Sequence, residues 1–365
     1  MQVSVFGLRG FPNVEGGVEK HCERLYPKMD NDVKINIYRR KPYVKNNPKP
    51  DYLNNICFKD LVSTKIKGFE TVFHSYLATK RAIEDGSDIV HIHNIGPALF
   101  SKKIKKKNKK IVLTYHSPNY EHSKWGFFAK RLLKKSEDRA LKNADAIIFV
   151  NRFQMEKYSE NIKKKSVYIP NGIIFHDTST ETSFLDKIGV APNKYVLGVG
   201  RITPEKGFDT LIKAFIAANI PNYKLILAGG MDYEKKYTDH LISLCNENVI
   251  FVGSVDEKKL IQLYSNASLF VLSSNNEGFP LVLLEAMSFG LDIAVSDIPA
   301  THLVALEEDD YFKKGDEIQL SKIIKNKLIH PVKRKYDLQL FDWNLIAKKT
   351  TEVYRKVLNN ENITD

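Results

Sequence analysis

Cysteine is scarce in this 365-residue chain, which contains only Cys22, Cys57 and Cys245. An odd number of scattered cysteines argues against a disulfide framework and favours a reducing compartment. The chain also lacks a CxxC pair and an HExxH motif, so it offers no recognisable ligand set for a metal. We therefore expect neither a disulfide scaffold nor a bound metal or other cofactor.

Long apolar runs are missing as well. The longest, such as residues 146–150 (AIIFV), have the length of a strand, whereas a membrane-spanning helix needs about 20 apolar residues. A strand is expected from residue 2 onward, which leaves no room for a signal peptide. These observations predict a cytoplasmic protein without a membrane span.

The chain contains only part of a dinucleotide-binding fingerprint. Gly7 and Gly10 follow the first expected strand, but Asn13 stands where a third glycine is needed, and Gly16 and Gly17 come too late. This departure argues against a nicotinamide-dependent dehydrogenase. A basic nucleic-acid-binding protein is another alternative, but we find no recognition helix or base-stacking motif, and we expect no nucleic-acid partner.

Positive charge is concentrated in the first half of the chain. Residues 1–180 contain 34 Lys and Arg against 18 Asp and Glu, whereas the remainder contains 22 against 25. Lysine-rich clusters occupy residues 102–110, 130–135 and 163–165. Such a surface suits an anionic membrane, at roughly 1 kcal/mol per well-placed cation. A solvated lysine-rich surface without a partner is the alternative, although confinement of the excess to one half favours a functional surface.

Predicted strands and helices alternate throughout, which favours parallel sheets covered by helices on both faces. We predict a basic amino-terminal domain at 1–172, a linker at 173–194, a second domain at 195–340 and a terminal helical segment at 341–365. Residues 177–183 are polar, which suits a linker. The terminal segment has amphipathic spacing, and Trp343 within it is predicted to be a packing anchor.

The most informative segment runs from a predicted buried strand at 269–272 into a loop and a helix. Pro280 suits the first helical position and Gly290 the residue just past the helix end. The amides of 279–281 would then lie at the carboxyl edge of the strand, where a helix start favours an anion such as phosphate. Glu277 and Glu285 flank this turn, and sugar hydroxyls are natural partners for them. A capping acid and a solvated helix glutamate are the alternative.

Two other segments suit a phosphorylated ligand. Arg201 follows the predicted strand 195–199, and Lys206 lies five residues further on, across a turn that opens a helix. A guanidinium and an ammonium at this spacing suit a diphosphate. Near the amino terminus, Gly16 and Gly17 permit close approach of the backbone to a ligand. An ordinary turn would explain the glycine pair equally well.

Taken together, these segments resemble the retaining nucleotide-sugar glycosyltransferases of the GT-B fold, in the large family-4 group. The group's pattern of two glutamates separated by seven residues matches Glu277 and Glu285, and its Arg and Lys pair matches Arg201 and Lys206. The amino-terminal stretch from Gly7 to Glu19 is similar to a subgroup of bacterial rhamnosyltransferases and polysaccharide-assembly enzymes. His116 falls where that subgroup has its active-site histidine, although His-Ser-Pro replaces the usual His-Gly or His-Asp.

The resemblance implies two Rossmann-like domains facing a cleft, with the terminal helix packed back on the first domain. It implies a catalytic set made of His116, Arg201, Lys206 and Glu277. It also implies donor-binding positions at Gly16, Gly17, Arg201, Lys206, Gly253, Val255, Glu277, Gly278, Phe279, Pro280, Leu281 and Glu285. In this assignment Glu277 binds the donor sugar, Glu285 binds the ribose, and Gly253 and Val255 contact the base.

The expected activity is that of a retaining hexosyltransferase. It would transfer a hexose or deoxyhexose from a nucleotide diphosphate sugar to a glycan acceptor, which we expect to be lipid-linked, in bacterial surface polysaccharide synthesis. The protein would act in the cytoplasm, at the inner face of the membrane if its basic surface binds lipid. A nucleotide-sugar 2-epimerase of the same fold is the alternative. The nucleotide, the sugar and the acceptor stay open.

Overall fold

The computed structural model describes the chain except for residues 15, 45–52, 67–68, 118–126, 231–234 and 365, and except for the side chains of 127–130 and 132. Two residues of the motifs quoted above, Glu15 and Pro118, therefore lie outside the described residues. The chain divides into two compact units. The first contains Met1–Gly172 and Leu340–Asp365, and the second contains Ile173–Gln339.

The first unit is built on a parallel sheet with seven strands in its described part, in the order β3-β2-β1-β4-β5-β6-β7. The strands are β1 Gln2–Phe6, β2 Lys34–Arg40, β3 Ile56–Leu61, β4 Ile89–His93, β5 Lys110–Tyr115, β6 Ala146–Phe149 and β7 Ser166–Tyr168. The helices between them are α1 Gly17–Leu25, α2 Lys41–Val44, α3 Phe69–Glu84, α4 Ser101–Lys105, α5 Phe127–Asn143, α6 Arg152–Glu156 and α7 Glu160–Lys163.

The second unit has a parallel sheet with six strands in its described part, in the order β10-β9-β8-β11-β12-β13. The strands are β8 Tyr195–Val199, β9 Lys224–Ala228, β10 Val249–Gly253, β11 Leu269–Leu272, β12 Asp292–Asp297 and β13 Tyr311–Lys313. The helices are α8 Ser183–Lys187, α9 Phe208–Ala218, α10 Lys235–Leu244, α11 Glu257–Asn266, α12 Leu281–Ser288 and α13 Glu317–Ile329.

The central strands are buried because helices cover both faces of each sheet. Residues of β4 and β11 are fully buried along their whole length, as their continuous apolar or aromatic character predicts. Several helices begin at a side chain that accepts a hydrogen bond from a backbone amide of the first turn. These capping residues are Asn151, Asp256 and Asp316. The predicted class, two Rossmann-like parallel-sheet domains, is confirmed.

The strand order reverses once in each sheet. In the first sheet the reversal lies between β1 and β4, and in the second it lies between β8 and β11. Connections on the two sides of such a point leave in opposite directions, which opens a crevice at the carboxyl ends of the two strands. Ligands of doubly wound sheets bind in this crevice. The loops that follow β8 and β11 contain Arg201, Lys206 and Glu277.

The last helix, α14 Trp343–Asn359, packs on the first unit, as predicted. Trp343 is 4% exposed, and a Cβ added to Gly172 would lie 2.6 Å from its indole ring, so the glycine makes room for the tryptophan. At the other end of the helix, the Tyr354 hydroxyl lies 2.6 Å from His91 Nδ1. The amphipathic spacing of this segment therefore reflects a face buried against the amino-terminal sheet.

Residues 173–194, predicted as a linker, lie inside the second unit. They contain helix α8, and Leu185 within it is fully buried. The polar residues nearby act through specific hydrogen bonds, since Gln262 Oε1 accepts from the Phe184 amide at 2.9 Å and Ser265 Oγ accepts from the Ser179 amide at 2.8 Å. The polar residues of this segment therefore hold it against α11 through hydrogen bonds. Within the described residues, no helix is both long enough and apolar enough to cross a bilayer.

Candidate active site

The loops after β8 and β11 are joined by several backbone contacts. Gly207 has a φ of +61°, and a Cβ there would lie 2.2 Å from the Ser273 carbonyl oxygen, so glycine is required on both conformational and steric grounds. The Ser273 hydroxyl donates to the Lys206 carbonyl at 2.9 Å, and the Asn275 amide donates to the Glu205 carbonyl at 2.7 Å. The structure thus brings together two segments that are about 70 residues apart in sequence.

An ion pair joins the side chains of the same two loops. Lys206 Nζ lies 2.5 Å from Glu277 Oε1, and the Ser274 hydroxyl donates to that oxygen at 2.7 Å. The two side chains are 19% and 11% exposed. Partial burial strengthens the attraction relative to a surface pair, and it makes loss of either partner costly because the other charge is left desolvated. The position of the Glu277 carboxylate is therefore fixed by two donors.

Arg201 lies five residues before Lys206 of this ion pair. Its side chain is exposed and forms no hydrogen bond or ion pair with any described residue. Gly200 precedes it, and the methylenes of Lys206 lie against that glycine, with Cε 3.3 Å from where a Cβ would be. Lys206 therefore turns back toward the end of β8. Among the described residues nothing occupies the five donors of Arg201, so they can bind an anion at this strand end.

Glu285 lies on α12 and is half-buried. The Tyr264 hydroxyl donates to its Oε2 at 2.9 Å. Burial, and then the charge of Glu285, raises the pKa of Tyr264 well above its usual value, so the phenol remains a donor at neutral pH. Tyr264 comes from α11, and neither motif nor spacing marks it in the sequence. One oxygen of Glu285 is held by this bond, which orients the carboxylate.

The start of α12 differs from the prediction. Pro280 is the residue before the helix rather than its first residue, and the helix begins at Leu281. Pro280 has no N–H, and the Leu281 amide donates to the Phe279 carbonyl at 3.1 Å, so residues 279–281 do not form the predicted set of outward amides. The tight turn at Phe279–Leu281 is the physical reason. Gly290 follows the helix end with a φ of +67°, as predicted.

The predicted base-binding positions lie at the end of β10. Gly253 has a φ of +67°, its carbonyl accepts from the Gly229 amide at 2.8 Å, and a Cβ added to it would meet nothing within 4 Å. Val255 is half-buried in the loop that follows. The sequence analysis missed Gly229, where a Cβ would lie 1.8 Å from the Gly200 carbonyl oxygen. The sequence feature that could have revealed Gly229 is the Gly-Gly pair directly after β9.

In the first unit, Gly16 and Gly17 stand at the start of α1 but differ from each other. A Cβ on Gly16 would lie 2.0 Å from Glu19 Oε2, whereas a Cβ on Gly17 would meet nothing within 4 Å. Glu19 is 7% exposed, and its other oxygen accepts from the Arg9 amide at 2.9 Å. A carboxylate thus already occupies the positive helix start. Gly16 accommodates this glutamate, and only Gly17 borders open space.

His116, at the end of β5, belongs to a cluster of histidines. His93 Nδ1 lies 3.0 Å from His116 Nε2, and the ring of His21 lies 4.8 Å from that of His116. His21 Nδ1 lies 2.7 Å from Asn171 Oδ1. His116 is half-buried, while His21 and His93 are 4% and 0% exposed. Sequence reasoning missed both partners, although two histidines alternating on a buried strand, His91 and His93, were a usable signal.

Burial keeps these imidazoles neutral. Desolvation lowers the pKa of His21 to about 4 and that of His91 to about 3. Desolvation, and then the neighbouring imidazoles, lowers the pKa of His93 and His116 well below the usual value. At neutral pH each ring therefore has one N–H and one lone pair. His116 can donate or accept a single hydrogen bond through its second nitrogen, but it carries no positive charge toward a ligand.

The cluster could also hold a metal ion. His21, His93 and His116 each offer one nitrogen, and these atoms lie within 4.8 Å of one another. His21 Nε2 is enclosed and has no hydrogen-bond partner among the described residues. Three neutral imidazoles are a known ligand set for Zn²⁺. A hydrogen bond between His93 and His116 explains their 3.0 Å separation without an ion, and the expectation of a metal-free protein stays a prediction.

Two family models match the chain. The model described as Glycosyltransferase Family 4 matches residues 15–175, and the model described as Glycosyl transferases group 1 matches residues 183–334. The chain is thus a glycosyltransferase with the GT-B fold. Among solved structures it is similar to sucrose-phosphate synthase from Thermosynechococcus elongatus, with 22% identity, a TM-score of 0.81 and coverage of 99% of this chain and 100% of that one.

Other similar proteins are also glycosyltransferases or have the same fold. A structure of Anabaena HepE in complex with UDP and glucose has 18% identity, a TM-score of 0.75 and coverage of 97% and 99% of the two chains. An uncharacterized glycosyltransferase of Methanocaldococcus jannaschii is 25% identical, over 75% of this chain and 73% of that protein. The alpha-galactosylglucosyldiacylglycerol synthase of Streptococcus pneumoniae is 29% identical, over 58% of this chain and 61% of the synthase.

The histidine cluster predicts that acid destabilises the first unit. An unfolded histidine takes up a proton as the pH falls below about 6.5, whereas buried His21 takes one up only near pH 4. Its contribution to stability is therefore complete above pH 6.5 and is lost between pH 6.5 and about 4. At pH 5 a fully buried histidine of this kind lowers the free energy of unfolding by about 2 kcal/mol. The free energy of unfolding should fall correspondingly between pH 7 and pH 5.

Urea unfolding followed by tryptophan fluorescence measures this, because both tryptophans fall in the residue range of the first unit. His21→Gln should reduce the loss between pH 7 and pH 5 by about 2 kcal/mol. His240 is exposed, so the control His240→Gln should lose as much unfolding free energy between pH 7 and pH 5 as the unaltered chain. Equal losses in all three proteins would contradict a neutral buried His21.

Proposed function

We propose that this protein is a retaining hexosyltransferase that uses a nucleotide diphosphate sugar as donor. The observation that carries the proposal is the arrangement of Arg201, Lys206 and Glu277 at the switch point of the second sheet. A free guanidinium, a partly buried ammonium and an oriented carboxylate stand at one strand edge. A diphosphate with an attached sugar supplies matching groups, two phosphates for the cations and hydroxyls for the carboxylate.

The cations act mainly on the leaving group. As the bond between the anomeric carbon and the phosphate oxygen breaks, negative charge accumulates on the nucleoside diphosphate. Arg201 and Lys206 stabilise this charge, and Lys206 is already held in place by Glu277 before the reaction. Glu277 binds the sugar hydroxyls through the oxygen that Lys206 and Ser274 leave available. Glu285, oriented by Tyr264, binds the ribose hydroxyls.

We propose retention of anomeric configuration from the resemblance to the retaining family-4 group, and the state of Glu277 argues against a double displacement as the route to it. A double displacement needs a nucleophilic carboxylate at the anomeric carbon. Glu277 Oε1 already accepts hydrogen bonds from Lys206 and Ser274 at 2.5 and 2.7 Å, which makes that oxygen a poor nucleophile. We favour attack by the acceptor on the face that the leaving group departs from. A phosphate oxygen of the leaving group then takes the acceptor's proton.

We propose that the first unit binds the acceptor and that His116 takes part in the reaction. Two relatives support the substrate classes. HepE was captured with UDP and glucose, and the Streptococcus synthase is named for a glycosylated diacylglycerol. A hexose or deoxyhexose donor and a lipid-linked glycan acceptor of surface polysaccharide synthesis are consistent with both. The protein would then work at the cytoplasmic face of the membrane.

The first unit has a surface suited to such a membrane. Helices α3 and α4 pack together, and α4 and the turn after it expose Lys102, Lys106 and Lys107. On α3, Phe69 is 56% exposed and Tyr76 is 42% exposed. Cations beside exposed aromatic rings are typical of proteins that dock on anionic bilayers. We name the surface formed by these five residues the α3–α4 face.

Removal of the phosphate-binding cations should abolish turnover. The donor is first chosen as the nucleotide sugar that raises the melting temperature most, because ligands stabilise the state they bind. With that donor, Arg201→Ala should lower kcat by about 100-fold, since it removes a donor to the charge that develops in the transition state. Arg201→Ala combined with Lys206→Ala should lower it further.

The control is Lys187→Ala, which removes an equally exposed cation of the second unit. It should leave kcat unchanged. Arg201 has no partner among the described residues, so Arg201→Ala should change the free energy of unfolding by no more than about 0.5 kcal/mol. Full turnover in the double variant would exclude the proposed donor site.

Product stereochemistry tests the reaction type. NMR coupling constants of the newly formed glycosidic bond should show the same anomeric configuration as the donor sugar. Inversion would refute the proposed same-face mechanism. The reaction is also run without acceptor, where a 2-epimerised nucleotide sugar would identify an epimerase instead.

Membrane docking is tested by flotation with vesicles containing anionic lipid. The α3–α4 face should retain the protein at low salt and release it as salt screens the charges. Substituting Glu for Lys102, Lys106 and Lys107 should weaken binding by about 100-fold or more, at roughly 1 kcal/mol per lysine. The same charge change at Lys187, Lys236 and Lys258 of the second unit should not. Failure of the unaltered protein to float at low salt would refute docking.

A further inference from the structure

A continuous set of short polar contacts runs through the first unit to His116. The Tyr26 hydroxyl lies 2.6 Å from His93 Nε2 and 3.1 Å from His91 Nδ1. His93 Nδ1 in turn lies 3.0 Å from His116 Nε2. On the other side, His91 Nδ1 lies 2.6 Å from the Tyr354 hydroxyl of α14. Tyr26, His91, His93 and Tyr354 are all 0% exposed, so no solvent interrupts these contacts.

The number of protons in this set is limited. Burial raises the pKa of Tyr26 and of Tyr354 far above the usual value, so both phenols keep their protons. The imidazoles are neutral, with one N–H each. Each contact therefore needs one proton and one lone pair, and the orientation of one contact determines the next.

The direction of the hydrogen bonds is determined first at Tyr26. Its single proton has three nearby acceptors, which are His93 Nε2, His91 Nδ1 and the hydrogen-bonded Tyr354 hydroxyl. His93 Nε2 is nearer than His91 Nδ1, and the Tyr354 hydroxyl can give its own proton to His91 Nδ1 at 2.6 Å. A phenol is a better hydrogen-bond donor than a neutral imidazole N–H, so the 2.6 Å contact is best made with Tyr26 donating. His93 must then carry its own proton on Nδ1, which faces His116. His116 Nε2 accepts that proton in a hydrogen bond, and its remaining proton is on Nδ1.

We propose that Tyr26 and His93 are positioning residues that fix His116 as the Nδ1–H tautomer. The accessible nitrogen of His116 then presents an N–H, which can donate to a sugar hydroxyl or a phosphate oxygen. The opposite tautomer would present a lone pair and could act as a base. This consequence for catalysis rests on the proposed function, which gives His116 a part in the reaction. The tautomer itself does not depend on it.

The arrangement disfavours a metal at the same histidines. Zn²⁺ would need a lone pair from each of His21, His93 and His116. In the proposed tautomers, the His93 nitrogen that faces His116 carries a proton and is unavailable. Stoichiometric Zn²⁺ in the purified protein, lost in His21→Gln, would therefore overturn the proposal.

The tautomer is measured directly by two-dimensional ¹⁵N–¹H NMR of protein labelled at histidine nitrogens. The chain contains ten histidines, and the spectrum of His116→Gln assigns the signal of interest. We expect His116 to show a protonated Nδ1 and an unprotonated Nε2. A protonated Nε2 in the unaltered protein would overturn the proposal without the need for any substrate.

Two matched variants test the role of Tyr26. Tyr26→Phe removes the proton donated to His93, and the Nε2–H tautomer of His116 should rise to a fraction comparable to the Nδ1–H form. Tyr38→Phe also removes a buried hydroxyl of the first unit, but that hydroxyl contacts Ser4 and Asp85 and lies outside the histidine set, so the His116 signal should be unchanged. An unaltered His116 signal in Tyr26→Phe, with the fold confirmed by its melting temperature, would overturn the proposal.

Kinetics separate this inference from the proposed function. If the protein is a hexosyltransferase, Tyr26→Phe should lower kcat by about tenfold with little change in donor KM, and Tyr38→Phe should change kcat less than twofold. Equal losses of kcat in the two variants would contradict a positioning role. If no nucleotide sugar supports turnover, the proposed function fails while the NMR result stands.

Discussion

The candidate site depends on the ion pair between Lys206 and Glu277. It spans 2.5 Å and joins the loops that follow β8 and β11, the two strands between which the order of the second sheet reverses. The same ammonium that neutralises Glu277 is proposed to contact the donor diphosphate. Lys206 therefore links the sugar-binding carboxylate to the phosphate-binding cations, and a change in one affects the other. Close approach at Gly207 makes this geometry possible.

Sequence patterns predicted the fold, and they singled out the loops after β8 and β11 that are proposed to bind the donor. Buried parallel strands such as β11 are short continuous apolar runs, and helices such as α3 follow amphipathic spacing, so both are encoded locally. Glu277 and Gly290 were placed correctly relative to α12 because they belong to one short motif. Once the chain is known to alternate strands and helices, ligand residues are expected at strand carboxyl ends. That rule explains why Arg201 and Lys206 were singled out, and their role in binding a donor stays a prediction.

Other features depend on contacts between distant segments, and local patterns do not reveal them. Tyr264 holds Glu285 across 21 residues, and His21 and His93 reach His116 from α1 and β4. The turn that engages the Leu281 amide and the carboxylate of Glu19 at the start of α1 both alter predicted anion sites. In each case a side chain or a tight turn already satisfies groups that local reasoning assigned to a ligand.

The most direct test of the account is a crystal structure of the protein with a bound nucleoside diphosphate. The account predicts phosphate oxygens at about 3 Å from the Arg201 guanidinium and from Lys206 Nζ, with the nucleoside extending toward Gly253 and Glu285. A diphosphate bound elsewhere, with Arg201 still unengaged and Lys206 paired only with Glu277, would contradict it.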